Sequence, residues 1–372
     1  MENNQAAFIL AADNSPLQVG PGPDQSRPAA DEIVVKVAAV AINPSEWKVC
    51  STATVQDAGH TLCADYGWLT ILQMKEFGYL PLEYPHVLGS DVAGTVVKVG
   101  NEVKRFKAGD RVIGHCLGLL YGGAKHGAFQ NFTTLREAVT APVPETARFE
   151  DAVVLPLAIS TASVGLFDDL KLRLPSVDPI EQKHRDEVVL VWGAASSMGS
   201  AAVQLAVAAG YHVVTTASAK NHEYARGLAS GKHITVFDYH AVDVVGEIIE
   251  SIPSRGRRFA GAYDCVGLED STRACAAVVH AFGGGVLPSV LPPPADLPAD
   301  VQAICVNAIR PGTVPGSPGS RVWREYVPGA LAKGSLRTRP EPEVVGTGLD
   351  KIEGALNLHK AGVSAKKLVV LL

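Results

Sequence analysis

No run of five or more basic residues occurs in the 372-residue chain, and only 19% of it is charged. With 33 basic against 38 acidic side chains the net charge is -5, so neither nucleic acid nor an anionic membrane surface has an electrostatic hold on it. The six cysteines, Cys50, Cys63, Cys116, Cys265, Cys275 and Cys305, include no C-x-x-C pair. Their scatter speaks against a disulfide framework or a zinc-finger cage, and buried free thiols are expected. Long apolar runs are missing too. Residues 6–12 are too few to span a bilayer, Lys36 interrupts the run 33–42, and residues 1–14 lack the basic and apolar segments of a secretory signal. These absences predict a soluble cytoplasmic protein with no membrane or nucleic-acid partner.

What is present is a hydrophobic content of 47%, enough for two or more cores in a chain of this length. Residues 7–11, 32–42, 92–99 and 111–115 alternate or are rich in β-branched side chains, and the turn Lys107-Ala-Gly-Asp110 separates the last two. They predict a β-rich domain. From Phe149 the pattern changes. Helical stretches at 149–154 and 161–170 and a polar loop at 175–186 lead into an apolar strand at 187–192. Helices at 200–209, 221–229 and 242–251 then alternate with strands at 212–217, 235–238 and 261–266. This α/β alternation is that of a doubly wound parallel sheet. Residues 283–329 are rich in Pro and Gly and read as a binding loop. A helix at 350–360 and a strand at 367–372 close the chain, and no internal repeat is visible.

The strand Val188-Val-Leu-Val-Trp192 runs into Gly193-Ala-Ala-Ser-Ser-Met-Gly199 and an apolar helix. A tight turn at a helix N-terminus offers backbone N–H groups and the positive end of the helix dipole to a pyrophosphate. The spacing departs from G-x-G-x-x-G, with Ala195 at the middle position and only the outer glycines remaining, so glycines that merely close a β-α turn are the alternative. The second strand ends Thr215-Thr-Ala-Ser-Ala-Lys-Asn221, without the Asp or Glu that holds a free ribose 2'-hydroxyl. A hydroxyl, an ammonium and an amide there suit a 2'-phosphate and favour NADPH. Ser218 as the cap of the next helix is the competing role. Tyr239, after the third strand, either packs by the adenosine or is a surface tyrosine.

The segments Ala38-Ala-Val-Ala-Ile-Asn-Pro-Ser-Glu-Trp-Lys48, Pro85-His-Val-Leu-Gly-Ser-Asp-Val-Ala-Gly94, Gly109-Asp-Arg-Val112 and Leu155-Pro-Leu-Ala-Ile-Ser-Thr-Ala162, with the glycine turn, resemble the medium-chain dehydrogenase/reductase superfamily. The resemblance covers nearly the whole chain except about residues 49–74. It implies a GroES-like domain at 1–155, a Rossmann domain at 156–310 and a C-terminal return to the first domain at 311–372. Zinc-dependent members carry a Cys near Asn43 and a His-Glu pair near Ser90-Asp91, so the chain is placed in the zinc-free branch, with no metal. Ile42-Asn-Pro-Ser-Glu-Trp-Lys48, Ile159-Ser-Thr161, Phe237-Asp-Tyr239 and Val363-Ser-Ala-Lys-Lys-Leu-Val369 look most like fungal trans-acting enoyl reductases of polyketide pathways, the lovastatin-pathway type.

That resemblance implies NADPH-dependent reduction of the α,β-double bond of a carrier-bound enoyl thioester, with a polyketide synthase as partner and the enzyme as a monomer. By carry-over, Ser45, Glu46, Trp47, Lys48, Thr161, Ser196, Ser197, Met198, Gly199, Ser218, Ala219, Lys220, Asn221, Tyr239, Val363 and Ser364 line the cofactor, together with Gly193, and Val290 and Leu291 approach the nicotinamide side. Conjugate reduction needs a donor for the developing enolate oxygen. Lys48 is the candidate cation and Thr161 the candidate orienting hydroxyl. The alternatives are a Lys48 that binds only the cofactor and a Thr161 that caps a helix. Residues 49–74 read as a lid, a substrate loop or a misread splice boundary. A quinone or enone reductase acting on free small molecules, and a catalytically silent NADPH-binding scaffold, are the competing functions.

Overall fold

The computed structural model describes residues 4–11, 16–46, 84–119, 123–178, 186–229, 233–253 and 256–372. Along the chain the strands are β1 (Gln5–Ile9), β2 (Gln18–Pro21), β3 (Glu32–Ala41), β4 (His86–Val87), β5 (Asp91–Val99), β6 (Arg111–His115), β7 (Phe132–Arg136) and β8 (Thr140–Pro142). They continue as β9 (Glu187–Trp192), β10 (His212–Ala217), β11 (Ile234–Asp238), β12 (Arg258–Asp264), β13 (Gly285–Ser289), β14 (Val301–Cys305), β15 (Glu341–Thr347) and β16 (Lys366–Leu371). Two compact units result. One comprises residues 1–157, 341–363 and 367–372, the other residues 158–340 and 364–366.

The first unit is β-rich. Among the described residues its larger sheet runs β15-β16-β3-β5-β6-β8, with β7 also paired to β3. β3 is its axis. One edge pairs antiparallel with β5, while the other takes β7 over Glu32 to Lys36 and β16 over Ala39 to Ala41. That strand is buried along most of its length except Lys36, which is why it reads as an almost continuous apolar run. Ile33, Val35, Val37 and Val40 join Val92, Val96, Phe129, Ile352 and Leu356 in one core, each large side chain contributing about 1.5–3 kcal/mol on burial.

The second unit is a parallel sheet in the order β11-β10-β9-β12-β13-β14. This is the doubly wound arrangement, in which the strand order reverses between the first and fourth strands and opens a crevice at their carboxyl ends. Here those strands are β9 and β12, paired from Arg258↔Glu187 to Asp264↔Trp192. The apolar run Phe149–Asp169 is long enough to cross a membrane by length and composition, but 78% of its most apolar window is buried in the protein, as in a core helix.

Two expectations need correction. Residues 283–329 are not a loop: they hold β13, β14, the short helices Arg310–Thr313 and Pro318–Arg321, and the start of the helix Val327–Ala332. Pro288 inside β13 disguises the strand, and it is tolerated because β13 meets β12 at the single register pair Asp264↔Ser289. The chain also returns to the first unit at Glu341 rather than at residue 311. Residues in between are held in the second unit, where Trp323 Nε1 donates to Ser160 Oγ at 2.9 Å and Gly319 N to Asp168 Oδ2 at 3.1 Å.

At the start of β3, Glu32 is 4% exposed. His126 Nε2 lies 2.7 Å from one carboxylate oxygen, while Lys125 Nζ at 3.2 Å and Ala29 N at 2.8 Å meet the other. Burial alone would raise this carboxyl, but the His126 hydrogen bond, the Ala29 N–H and the neighbouring His126 and Lys125 side chains outweigh it and hold it at about 2. Glu32→Gln is expected to cost about 2 kcal/mol in urea unfolding at pH 7. Because the folded-state value lies below the ordinary 4.5, that contribution is complete above pH 4.5 and fades as pH falls toward 2. The stability gap between the two proteins should narrow over that window.

Candidate active site

β9 is followed directly by Gly193, whose φ of 91° is a conformation that side chains rarely adopt. Gly193 N donates to Thr216 Oγ1 at 3.0 Å and Ala194 N to Thr216 O at 2.9 Å, so the turn is pinned to β10. The helix Ser197–Ala208 follows, with Ser196 as its N-cap accepting from Gly199 N at 2.9 Å. The expected start at residue 200 was late by the first turn. A Cβ on Gly199 would fall inside the Gly193 carbonyl oxygen, and one on Gly193 would meet Val266 Cγ2 at 2.5 Å. Only glycines let helix and strand approach this closely.

The N–H groups of Ser197 and Met198 open the helix and have no intrahelical acceptor. Among the described residues the Ser197 hydroxyl oxygen is buried without a hydrogen-bond partner. Such a donor set at a helix N-terminus fits a pyrophosphate. Ser196 is different, because its hydroxyl is committed to the cap and to Gly193 O at 2.9 Å, with Cys265 O at 3.3 Å. It shapes the turn rather than reaching outward.

Across the switch point, Asp264 ends β12 fully buried. Its carboxylate accepts from Val266 N and Gly267 N, each at 3.0 Å, and from the Ser271 and Thr272 hydroxyls at 2.9 and 2.7 Å. Val290 N donates to Asp264 O at 3.1 Å, and a Cβ on Gly267 would lie 2.7 Å from Leu291. Val290 and Leu291 are thus brought beside the Gly193 turn through Val266 and Gly267. Asp264 was missed by the sequence reading, although a carboxylate that closes an apolar strand just before Cys-Val-Gly267 is a usable signal.

After β10, Ser218 stands at the N-cap of the helical turn Ala219–Asn221, though its side chain makes no cap hydrogen bond. Asn221 Nδ2 lies 3.2 Å from Ser218 Oγ and 3.1 Å from Ser364 Oγ, so a hydroxyl from near the C-terminus joins this group. Ala219 and Lys220 are exposed beside it. Tyr239 follows β11, 43% exposed, its ring 4.2 Å from that of His240. Thr161 lies within the helix Pro156–Ser163, so it caps nothing. It is 7% exposed, and its carbonyl accepts from Tyr263 Oη at 3.1 Å.

The remaining candidates belong to the first unit. Ser45 sits on a helical turn over residues 44–46, and its Oγ is buried with no partner among the described residues. Val363 packs against the β core. Trp47, Lys48 and the segment 49–74 lie outside the described residues. Glu46 is fully buried, its two oxygens accepting from Asn43 N at 2.7 Å and Ser90 N at 2.9 Å. Beside it Asp91 accepts from Asn43 Nδ2 at 2.8 Å and Leu157 N at 2.6 Å and pairs with the 3% exposed Lys367 ammonium at 3.0 Å. Lys367 also donates to Asn43 Oδ1. Burial raises the Glu46 carboxyl to about 7, opposed by the Asn43 N–H and Lys367 and assisted by Asp91. Among the described residues no three His, Cys, Asp or Glu side chains are grouped to hold a metal ion.

The family model of the alcohol dehydrogenase GroES-like domain matches residues 29–145. The trans-enoyl reductase himH of Aspergillus japonicus is 40% identical over 369 residues, covering 99% of this chain and 97% of that one. The chain belongs to the medium-chain dehydrogenase/reductase superfamily, among relatives of the fungal trans-enoyl reductases. The dehydrogenase azaJ of Aspergillus niger is 39% identical over the full length of both chains. Among solved structures, an alcohol dehydrogenase superfamily protein from Novosphingobium aromaticivorans (TM-score 0.75, 22% identity, 99% of each chain) and the CurK enoyl reductase (0.68, 22%, 100% and 99%) share the fold. Membership makes the protein an oxidoreductase whose Rossmann unit binds a nicotinamide cofactor.

The buried charge group gives a test independent of catalysis. Lys367→Met leaves the Asp91 carboxylate buried without its cation and should lower stability by about 3–5 kcal/mol in chemical denaturation.

Proposed function

We propose that the protein is an NADPH-dependent trans-acting enoyl reductase, reducing the α,β-double bond of an enoyl thioester carried by a polyketide synthase. The observation that carries the reading is the phosphate turn at the β9–β12 switch point, in a chain 40% identical over almost its whole length to a protein named a trans-enoyl reductase. Gly193, the N-terminus of the helix Ser197–Ala208 and the Ser197 hydroxyl hold the pyrophosphate. Ser218, Lys220 and Asn221, with no carboxylate among residues 215–221, receive the 2'-phosphate. Asp264 keeps the Val266–Gly267 turn and, through it, Leu291 in place on the nicotinamide side.

The bound nicotinamide supplies the hydride. The protein's contribution is orientation and charge. Negative charge develops on the thioester oxygen as the β-carbon is reduced, and a fixed donor there lowers the barrier. Thr161 orients the acyl group, and Lys48 places a cation on the enolate side and delivers the proton to the α-carbon.

Purified protein should oxidise NADPH with a crotonyl-pantetheine thioester much faster than with a benzoquinone or a simple enone. Preference for either free acceptor would make it a small-molecule reductase, and cofactor binding without turnover of any acceptor would make it a scaffold. Ser218→Asp tests the cofactor assignment: it should weaken NADPH binding at least tenfold in a fluorescence titration while NADH binding changes little, because a carboxylate repels the phosphate dianion.

A further inference from the structure

Tyr263 stands one residue before Asp264 at the end of β12, and its side chain is completely buried. The ring packs directly on Gly165, where a Cβ would lie 2.6 Å from ring carbons. Only a residue without a side chain admits the ring so close to the helical backbone. From that berth the hydroxyl donates to Thr161 O at 3.1 Å. The neighbouring Ser160 is held in turn, its Oγ accepting from Trp323 Nε1 at 2.9 Å.

Directly after Thr161 and its turn, the helix widens into a π-helical segment, Val164–Asp169, and Trp323 lies in a second one, Val322–Tyr326. Such turns are rare and concentrate at functional sites. They alter which carbonyls the helix itself can satisfy, which gives an outside donor such as a tyrosine hydroxyl a place to act.

The other end of the same three-residue stretch reaches the phosphate turn. Cys265 N donates to Trp192 O at 3.1 Å, and the Cys265 carbonyl lies 3.3 Å from Ser196 Oγ. Tyr263, Asp264 and Cys265 therefore touch, in order, the Thr161 backbone, the Val266–Gly267 turn and the cap of the phosphate-binding helix.

We propose that Tyr263 is a positioning residue, its hydroxyl setting Thr161 in register with the phosphate turn so that an acyl group oriented by Thr161 meets the cofactor at reacting distance. Gly165 serves the same end by admitting the ring. The inference rests on the enoyl reductase reading in which Thr161 contacts the substrate. Orientation errors of about 1 Å remote from the reacting atoms cost on the order of a hundredfold in rate, so a partial loss of register should be visible in turnover.

The test uses full-length Tyr263→Phe, Thr161→Val and the double variant, assayed for NADPH oxidation with the crotonyl-pantetheine thioester and titrated with NADPH. Tyr263→Phe should lower kcat about tenfold, with KM and the NADPH Kd within about twofold and the melting temperature nearly unchanged. In the Thr161→Val background it should cause no further loss. Gly165→Ala, which pushes the ring outward, should reproduce the kcat loss and serves as the second variant if Tyr263→Phe folds poorly. A normal kcat in Tyr263→Phe beside a low one in Thr161→Val overturns the positioning role and leaves the enoyl reductase reading intact, as do losses that multiply in the double variant. Full activity of Thr161→Val, or a wild type that leaves the thioester unreduced, overturns the reading and the inference together.

Discussion

Between the Gly193 carbonyl and the α-carbon of Gly199 there is no room for a methyl group. That contact lets the helix Ser197–Ala208 sit down on the end of β9. Its depth fixes where the first N–H groups point, where Ser196 closes the cap, and where its hydroxyl meets Cys265 at the end of β12. The phosphate turn and the switch-point crevice are therefore one object, and an added side chain at either glycine would lift the helix away from both.

The first unit depends on a different kind of constraint. Two carboxylates, Glu46 and Asp91, are taken fully out of water, and the compensating charge comes from a lysine far away in sequence. An unpaired buried charge is expensive, so the Lys367 ammonium and the backbone donors of Asn43, Ser90 and Leu157 are what make the arrangement tolerable. The geometry also fixes the turn over residues 44–46 from which the chain leaves toward Lys48. Glu46 holds that turn from inside.

Much of this was legible in the sequence. β6, β9 and β10 begin and end where the pattern put them, because each is a short, sharply bounded strand flanked by turn residues or charge. The glycine turn and the missing carboxylate after β10 were likewise readable from the residues and their spacing, whereas Val290 and Leu291 were named only through the family resemblance. What escaped did so for physical reasons. β13 carries a proline and is bonded to β12 at one point, so neither propensity nor periodicity marks it. Glu46 follows Asn-Pro-Ser, and nothing local marks its burial, since its distant partner Ser90 is supplied by folding. Tyr263 in an apolar strand reads as plain core, and its hydroxyl bond to Thr161 bridges over a hundred residues that no local pattern can join. The boundary expected at 310 fails because Trp323 and Gly319 reach back to the helix carrying Ser160 and to Asp168.

The late return of the chain at Glu341 has a consequence for the order of synthesis. Almost all of the second unit is one uninterrupted stretch, residues 158–340, which can condense while the ribosome is still working. The first unit is begun earlier but must wait. β3 has an unpaired edge over Ala39 to Ala41 until β16 exists, and the buried carboxylate of Asp91 has no cation until Lys367 is made. The half of the protein that is translated first is thus the half that is finished last, and in the interval its sheet edge and its acidic interior are the parts of the nascent chain in greatest need of shelter.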